Sequence, residues 1–182
     1  MKAALSALAL GFVLAAAGPV AGREAVAGTA RVEAYFTPGD DVARVISERI
    51  AGARRTLQVQ AYLFTNRRIA TAVANAAKRG VAVDLIGDAK QHEAGGLPVL
   101  RSLARAGVRI WLHGDFAAFH NKVVLIDAGT TAPVVVTGSY NFTQAAQERN
   151  AENIVVISGS PEVAARFAGD FERHRARASR LQ

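Results

Sequence analysis

From residue 31 onward, stretches in which apolar and polar side chains alternate are interleaved with stretches in which apolar side chains return every three or four positions. The first pattern marks a strand and the second an amphipathic helix. RVEAYFT alternates and runs into the turn Pro38-Gly39, after which Asp40 and Asp41 suit a helix start. Val42, Val45, Ile46 and Ile50 then share one helical face that ends near Gly52. TLQVQAYLF predicts a second strand, and beyond Thr65-Asn66 a helix using Ile69, Ala72, Val73 and Ala76 stops at Gly80. VAVDLIGD reads as a buried strand. Gly95-Gly96 reads as a break before a short helix through Leu100 and Leu103, which Gly107 ends, and VRIWLH is a further strand.

The final third has a different character. KVVLID, APVVVTG and NIVVIS are short runs rich in Val and Ile, joined by connections too brief for crossover helices, so they pair antiparallel. Pro161 opens a closing helix with Val163, Ala164, Phe167 and Phe171 inward. The order predicts an α/β fold, a mixed β-sheet flanked by helices on both faces. No repeat, low-complexity tract or Pro/Gly/Ser-rich linker interrupts it, so residues 23–182 are expected to form one domain.

The preceding segment, MKAALSALALGFVLAAAGPVAG, has one positive charge, an apolar run and then small residues. That pattern predicts a cleavable signal peptide over residues 1–22, cut after Gly22 or, as the second choice, after Ala27. The apolar run over 3–17 is shorter than the roughly 20 residues a spanning helix needs. The expectation is a secreted or periplasmic protein without integral membrane association.

Composition narrows the partners. The 182-residue chain carries a formal charge of +7, and +6 without residues 1–22, spread along its length. Such a surface attracts DNA, RNA and anionic lipid headgroups alike. The complete lack of cysteine excludes a disulfide framework, thiolate metal ligands and a cysteine nucleophile. With no HExxH and no acidic cluster at ligand spacing, neither metal nor cofactor is expected.

The chemistry concentrates in HNKVVLIDAGTTAPVVVTGSYNFT, which sets His120, Lys122 and Asp127 in the pattern H-x-K-x-x-x-x-D, followed by Gly138, Ser139 and Asn141, with Glu152 beyond. On a strand, His120 and Lys122 project from one face and Asp127 has the opposite parity. Taken singly, each is an ordinary strand, turn or surface residue; the fixed spacing of all of them is what carries information. The segment resembles the HKD motif of the phospholipase D superfamily. Within it, the chain is similar to the small single-motif bacterial endonucleases, sharing also an F-T-P-G-D-like opening from Phe36 to Asp40 and the G-S-x-N-F-T run. The mitochondrial single-motif group carries a membrane anchor and, in some members, a cysteine-rich zinc finger, and this chain has no cysteine.

The resemblance implies a metal-independent phosphodiesterase, a hydrolase in which His120 forms a phosphohistidine. Lys122, Asn141 and the Ser139 hydroxyl would meet the charge on the non-bridging oxygens. Glu152 would accept the proton on the second ring nitrogen of His120. Asp127 and Gly138 would support the site structurally. His92, His113 and His174 lack such company and read as packed residues. A two-step reaction also needs a general acid, which a second motif supplies elsewhere in the superfamily; with one motif, a homodimer that brings two copies of His120 together at its twofold interface is expected. The substrate implied is nucleic acid: DNA, with RNA compatible by the same backbone chemistry. Arg67, Arg68 and Lys90 are candidates to grip that backbone. A phospholipase D acting on lipid headgroups is the alternative. The apolar loop nearest His120, residues 114–119, holds Phe116 and Phe119, suited to stacking bases or to lining the site entrance.

Overall fold

The computed structural model describes residues 30–181, so the signal-peptide segment lies outside the described residues. The chain runs β1 (Arg31–Thr37), α1 (Val42–Ala51), β2 (Thr56–Ala61), α2 (Arg67–Lys78), β3 (Ala82–Asp88), α3 (Ala89–Gln91), a π-helical turn (His92–Gly96), α4 (Leu97–Arg105) and β4 (Arg109–His113). It continues with β5 (Lys122–Ile126), β6 (Val134–Gly138), α5 (Gln144–Glu148), β7 (Glu152–Ser158), α6 (Pro161–Arg175) and β8 (Ser179–Arg180). One eight-stranded sheet has the order β1-β7-β6-β5-β2-β3-β4-β8. β2, β3 and β4 are parallel, linked by helices, and the remaining neighbours pair antiparallel. This is the mixed sheet expected from the sequence.

Strand alternation divides the core into two layers. Leu57, Val59, Val83, Leu85, Val124 and Ile126 face α1, α2 and α4, packing with Ile46, Ile69, Val73 and Leu103. On the other face α6 covers Leu125 and Val135 through Ala164, and Phe171 joins Ile86, Trp111 and Phe119. Short polar side chains set the helix starts. Asp41 accepts the Arg44 N–H before α1, Asn66 accepts from Arg68 and Ile69 before α2, and Ser160 accepts from Val163 ahead of Pro161.

Two features differ from the sequence reading. Gly95-Gly96 does not break the chain; it lies in the π-helical turn, continuous with α4. A Cβ at Gly96 would collide with the ring of His92, and one at Gly87 would stand 2.7 Å from it. Both glycines thus make room for a fully buried imidazole, whose Nδ1 pairs with the Asp88 carbonyl at 2.7 Å. Burial lowers the His92 pKa and keeps the ring neutral. The other difference is α5, which sequence periodicity left unread, although Thr143 caps it through the Ala146 N–H.

Asp127 closes the end of β5 opposite the one that begins at Lys122, roughly 16 Å away along the strand. It holds a left-handed φ of 51°, and its carboxylate accepts the backbone N–H groups of Arg54, Arg55 and Thr56 at 2.7–3.2 Å. It locks the α1–β2 connection against the sheet. Asp127→Ala strips three donors of their acceptor, and urea unfolding is expected to show a loss of about 3 kcal/mol; a loss under about 1 kcal/mol would contradict this role.

Candidate active site

Of the residues picked out in the sequence, His120, Lys122, Gly138, Ser139, Asn141 and Glu152 gather at one end of the sheet, where β1, β2, β3, β4 and β6 finish and β5 and β7 begin, and Asp127 lies at the other. The register brings them together: Ala61 pairs with Lys122, Val123 with Thr137 next to Gly138, Gly138 with Ile154, and Thr37 with Glu152. Crevices at strand ends of this kind are where open α/β sheets hold ligands. Gly138 permits this closeness, since a Cβ there would collide with the Asn153 carbonyl across the ladder.

Lys122 is the electrostatic centre. Its side chain is buried among strand residues, with 6% of its surface exposed. The ammonium donates to the His120 carbonyl at 2.6 Å and stands 4.9 Å from the centroid of the Tyr62 ring. Burial pulls its pKa from 10.5 down to about 8, against a raising influence from the nearby Glu152 carboxylate.

His120 lies just before β5, in the loop that leads into it, and its side chain is exposed. The strand expected to carry it starts two residues later. The Tyr62 N–H donates to the Asn121 carbonyl at 3.0 Å, which prolongs the β2–β5 pairing toward it. The imidazole packs against the Tyr62 ring, centroids 4.5 Å apart at 56°. Tyr62 thus touches both His120 and Lys122. The sequence reading missed it, because as a strand aromatic it looks like ordinary packing.

Around this pair, Ser139 donates its hydroxyl proton to Glu152 Oε2 at 2.6 Å and accepts the Asn153 N–H at 3.1 Å, while Asn150 donates to Glu152 Oε1 at 2.9 Å. Both Glu152 oxygens are therefore engaged within its own chain, and the expected bond from His120 to Glu152 is not formed. Ser139, expected to bind phosphate, orients Glu152 here instead. Asn141 is held between buried Tyr140 and Phe142, and the Phe142 carbonyl accepts from Thr65 and Asn66 at 2.8 Å each. The side-chain oxygen of Asn141 is buried without a partner.

Arg67 and Arg68 begin α2 and line a cleft of about 600 Å³ with Thr65, Gln144 and Gln147, and Arg68 is paired with Asp41 at 2.9 Å. Lys90 lies in α3. The loop 114–119 packs Phe119 flat against His113, centroids 5.1 Å apart, and His174 meets both edge-on. Burial and the neighbouring His174 lower the His113 pKa. Among the described residues no group of three or more acidic, histidine or cysteine side chains is arranged to hold a metal ion.

An exposed imidazole two positions from a buried lysine, at the strand ends of a mixed sheet, is the setting in which this chain carries its HKD motif. The chain belongs to the family described as cardiolipin synthase, PLD-like domain, which it matches over residues 46–175. A phospholipase D from Rickettsia felis is 35% identical over 127 residues, 70% of this chain and 61% of that protein, so the match spans less than two thirds of the relative's length. Among solved structures, the phospholipase D family member Nuc from Salmonella typhimurium superimposes with a TM-score of 0.78 at 27% identity, covering 84% of this chain and 99% of Nuc. NucT from Helicobacter pylori has the same fold, with a TM-score of 0.74 at 20% identity over 84% of this chain and 99% of NucT.

The environment of Lys122 is open to direct test. Heteronuclear NMR of its side chain is expected to show a titration midpoint near pH 8. In Glu152→Gln the midpoint should move lower, because the carboxylate that favours the charged amine is gone. A midpoint near 10.5, or an upward move in the variant, would contradict the arrangement.

Proposed function

We propose that this protein is an exported, metal-independent phosphodiesterase that cleaves nucleic acid through a phosphohistidine on His120. The observation that carries the reading is an exposed His120 imidazole packed on the Tyr62 ring, with the buried Lys122 ammonium over that same ring and bonded to the His120 carbonyl, in a chain of this family. Neutral His120 attacks phosphorus, the bond to the leaving oxygen breaks, and a general acid gives that oxygen its proton. Water then attacks the phosphohistidine, the same group takes the water's proton, and His120 is released. Lys122 and Asn141 meet the charge on the equatorial oxygens. Nuc and NucT, as neighbours in fold, support the choice of nucleic acid, as does the basic charge.

The acid comes from a second copy of the chain. Within one chain His92 and His113 are buried, and His174 packs into the Phe119 cluster, so none is free to face His120. A homodimer supplies the missing imidazole at its axis. Phe36, 58% exposed on edge strand β1, offers apolar surface beside Thr37 and Glu152 for that contact. Export rests on residues 1–22, and N-terminal sequencing of the exported protein is expected to begin at Arg23.

A second reading, phospholipase D activity on lipid headgroups, draws on the name of the Rickettsia relative and on the exposed Phe116. Plasmid DNA and phosphatidylcholine vesicles, each incubated with wild type and with His120→Ala, separate the two. DNA cleavage unaffected by EDTA and lost in His120→Ala is expected. Lipid hydrolysis without DNA cleavage selects the second reading, and cleavage that survives in His120→Ala removes the nucleophile. The rate should fall on the alkaline side through about pH 8, as Lys122 loses its charge. Sedimentation should give a dimer, which Phe36→Asp converts to an inactive monomer; an active monomer would overturn the shared site.

A further inference from the structure

Gln60 stands where chain chemistry favours an apolar residue. It lies on β2 between β5 and β3, near the centre of the sheet, with 1% of its surface exposed. A buried amide is costly unless both of its ends are bonded. Here both are: Oε1 accepts from Asn121 Nδ2 at 2.6 Å, and Nε2 donates to Asp170 Oδ2 on α6 at 3.3 Å. Asp170 in turn accepts from Arg173 at 2.9 Å and lies 3.6 Å from His174 Nε2.

Asn121 separates His120 from Lys122. Its carbonyl is held by the Tyr62 N–H at 3.0 Å and its side chain by Gln60, so β2 and the residue just after it grip this one residue. Among the described residues nothing hydrogen-bonds the His120 ring itself. Its place is set by the backbone on either side, by the Tyr62 ring and by the Lys122 ammonium on its carbonyl. α6 has an apolar anchorage of its own through Ala164 and Phe171, independent of Gln60.

We propose that Gln60 is a positioning residue for His120, acting through Asn121 from the rear face of the sheet. The inference rests on the reading of His120 as the nucleophile. The two ends of the amide do different work: the oxygen fixes the nucleophile loop, and the nitrogen ties α6 to the sheet.

Gln60→Leu removes both bonds while roughly keeping volume, and leaves the Asn121 amide and the Asp170 carboxylate without this partner. Gln60→Glu keeps an acceptor for Asn121 but sets a second carboxylate against Asp170. Asn121→Ala removes the loop's half without touching β2 or α6. Turnover of bis(p-nitrophenyl) phosphate and thermal unfolding are measured for each, with His120→Ala as reference. Gln60→Leu is expected to lose about tenfold or more in kcat at unchanged KM, since small misplacements of reacting groups have costs of that size. Gln60→Glu should keep near wild-type kcat with a lowered Tm. Asn121→Ala should match the loss in Gln60→Leu, and the double variant should lose no more than either.

Wild-type kcat in Gln60→Leu beside an inactive His120→Ala overturns this inference alone. So does an equal loss in Gln60→Glu, which would place the effect at Asp170, or additive losses in the double variant. Should Gln60→Leu fold poorly, Asn121→Ala carries the same decision: full kcat there overturns the proposal. Activity that survives in His120→Ala removes the nucleophile reading and this inference with it.

Discussion

An ammonium in the interior of a sheet is tolerated only where its surroundings replace the water it has lost. Lys122 sits at the first position of a strand whose every residue is buried, and what surrounds it reads as that replacement. The His120 carbonyl accepts one of its N–H bonds, the Tyr62 ring offers its negative face, and Glu152 supplies opposing charge. None of these satisfies the ammonium fully, which is why burial still lowers its pKa. A cation held with coordination to spare is suited to meeting an anion. The bond that helps to keep Lys122 in place also fixes the carbonyl of His120, so the charge and the histidine are not independent parts.

The sheet order follows from the same requirement. β5 must have β2 on one side to bring Tyr62 and Gln60 to the His120 loop, and β6 on the other to bring Gly138 and Ser139. Beyond β6, β7 delivers Glu152 to the Ser139 hydroxyl, and β1 closes the edge with Thr37, which ties α5 down through the Ala146 and Asn150 carbonyls. The parallel half, β2 to β4, supplies a rigid back wall, and α6 crosses behind it to meet Gln60 through Asp170. Asp127 performs its task at the far end, where three backbone donors converge on it and no substrate group is needed.

What the sequence revealed was local. Alternation in RVEAYFT and VAVDLIGD, the capping side chains Asp41 and Asn66, and the fixed spacing from His120 to Asn141 are each written within a few residues, and strands, helices and the family motif were legible from them. What it concealed depends on pairing between distant segments. Tyr62 and Gln60 acquire their roles only from register with β5, sixty positions away, and Ser139 meets Glu152 only across the β6–β7 ladder. The π-helical turn was misread for a related reason: Gly96 looks like a breaker until His92 is seen to need its empty volume.

A direct measurement follows the covalent bond itself. Stoichiometric enzyme is mixed with a short labelled oligonucleotide, quenched within milliseconds in base, where phosphohistidine persists, and digested for mass spectrometry. The arrangement around Lys122 predicts an adduct on the peptide that contains His120, rising and decaying in step with product. Product formed with no adduct, or an adduct on another side chain, would contradict it.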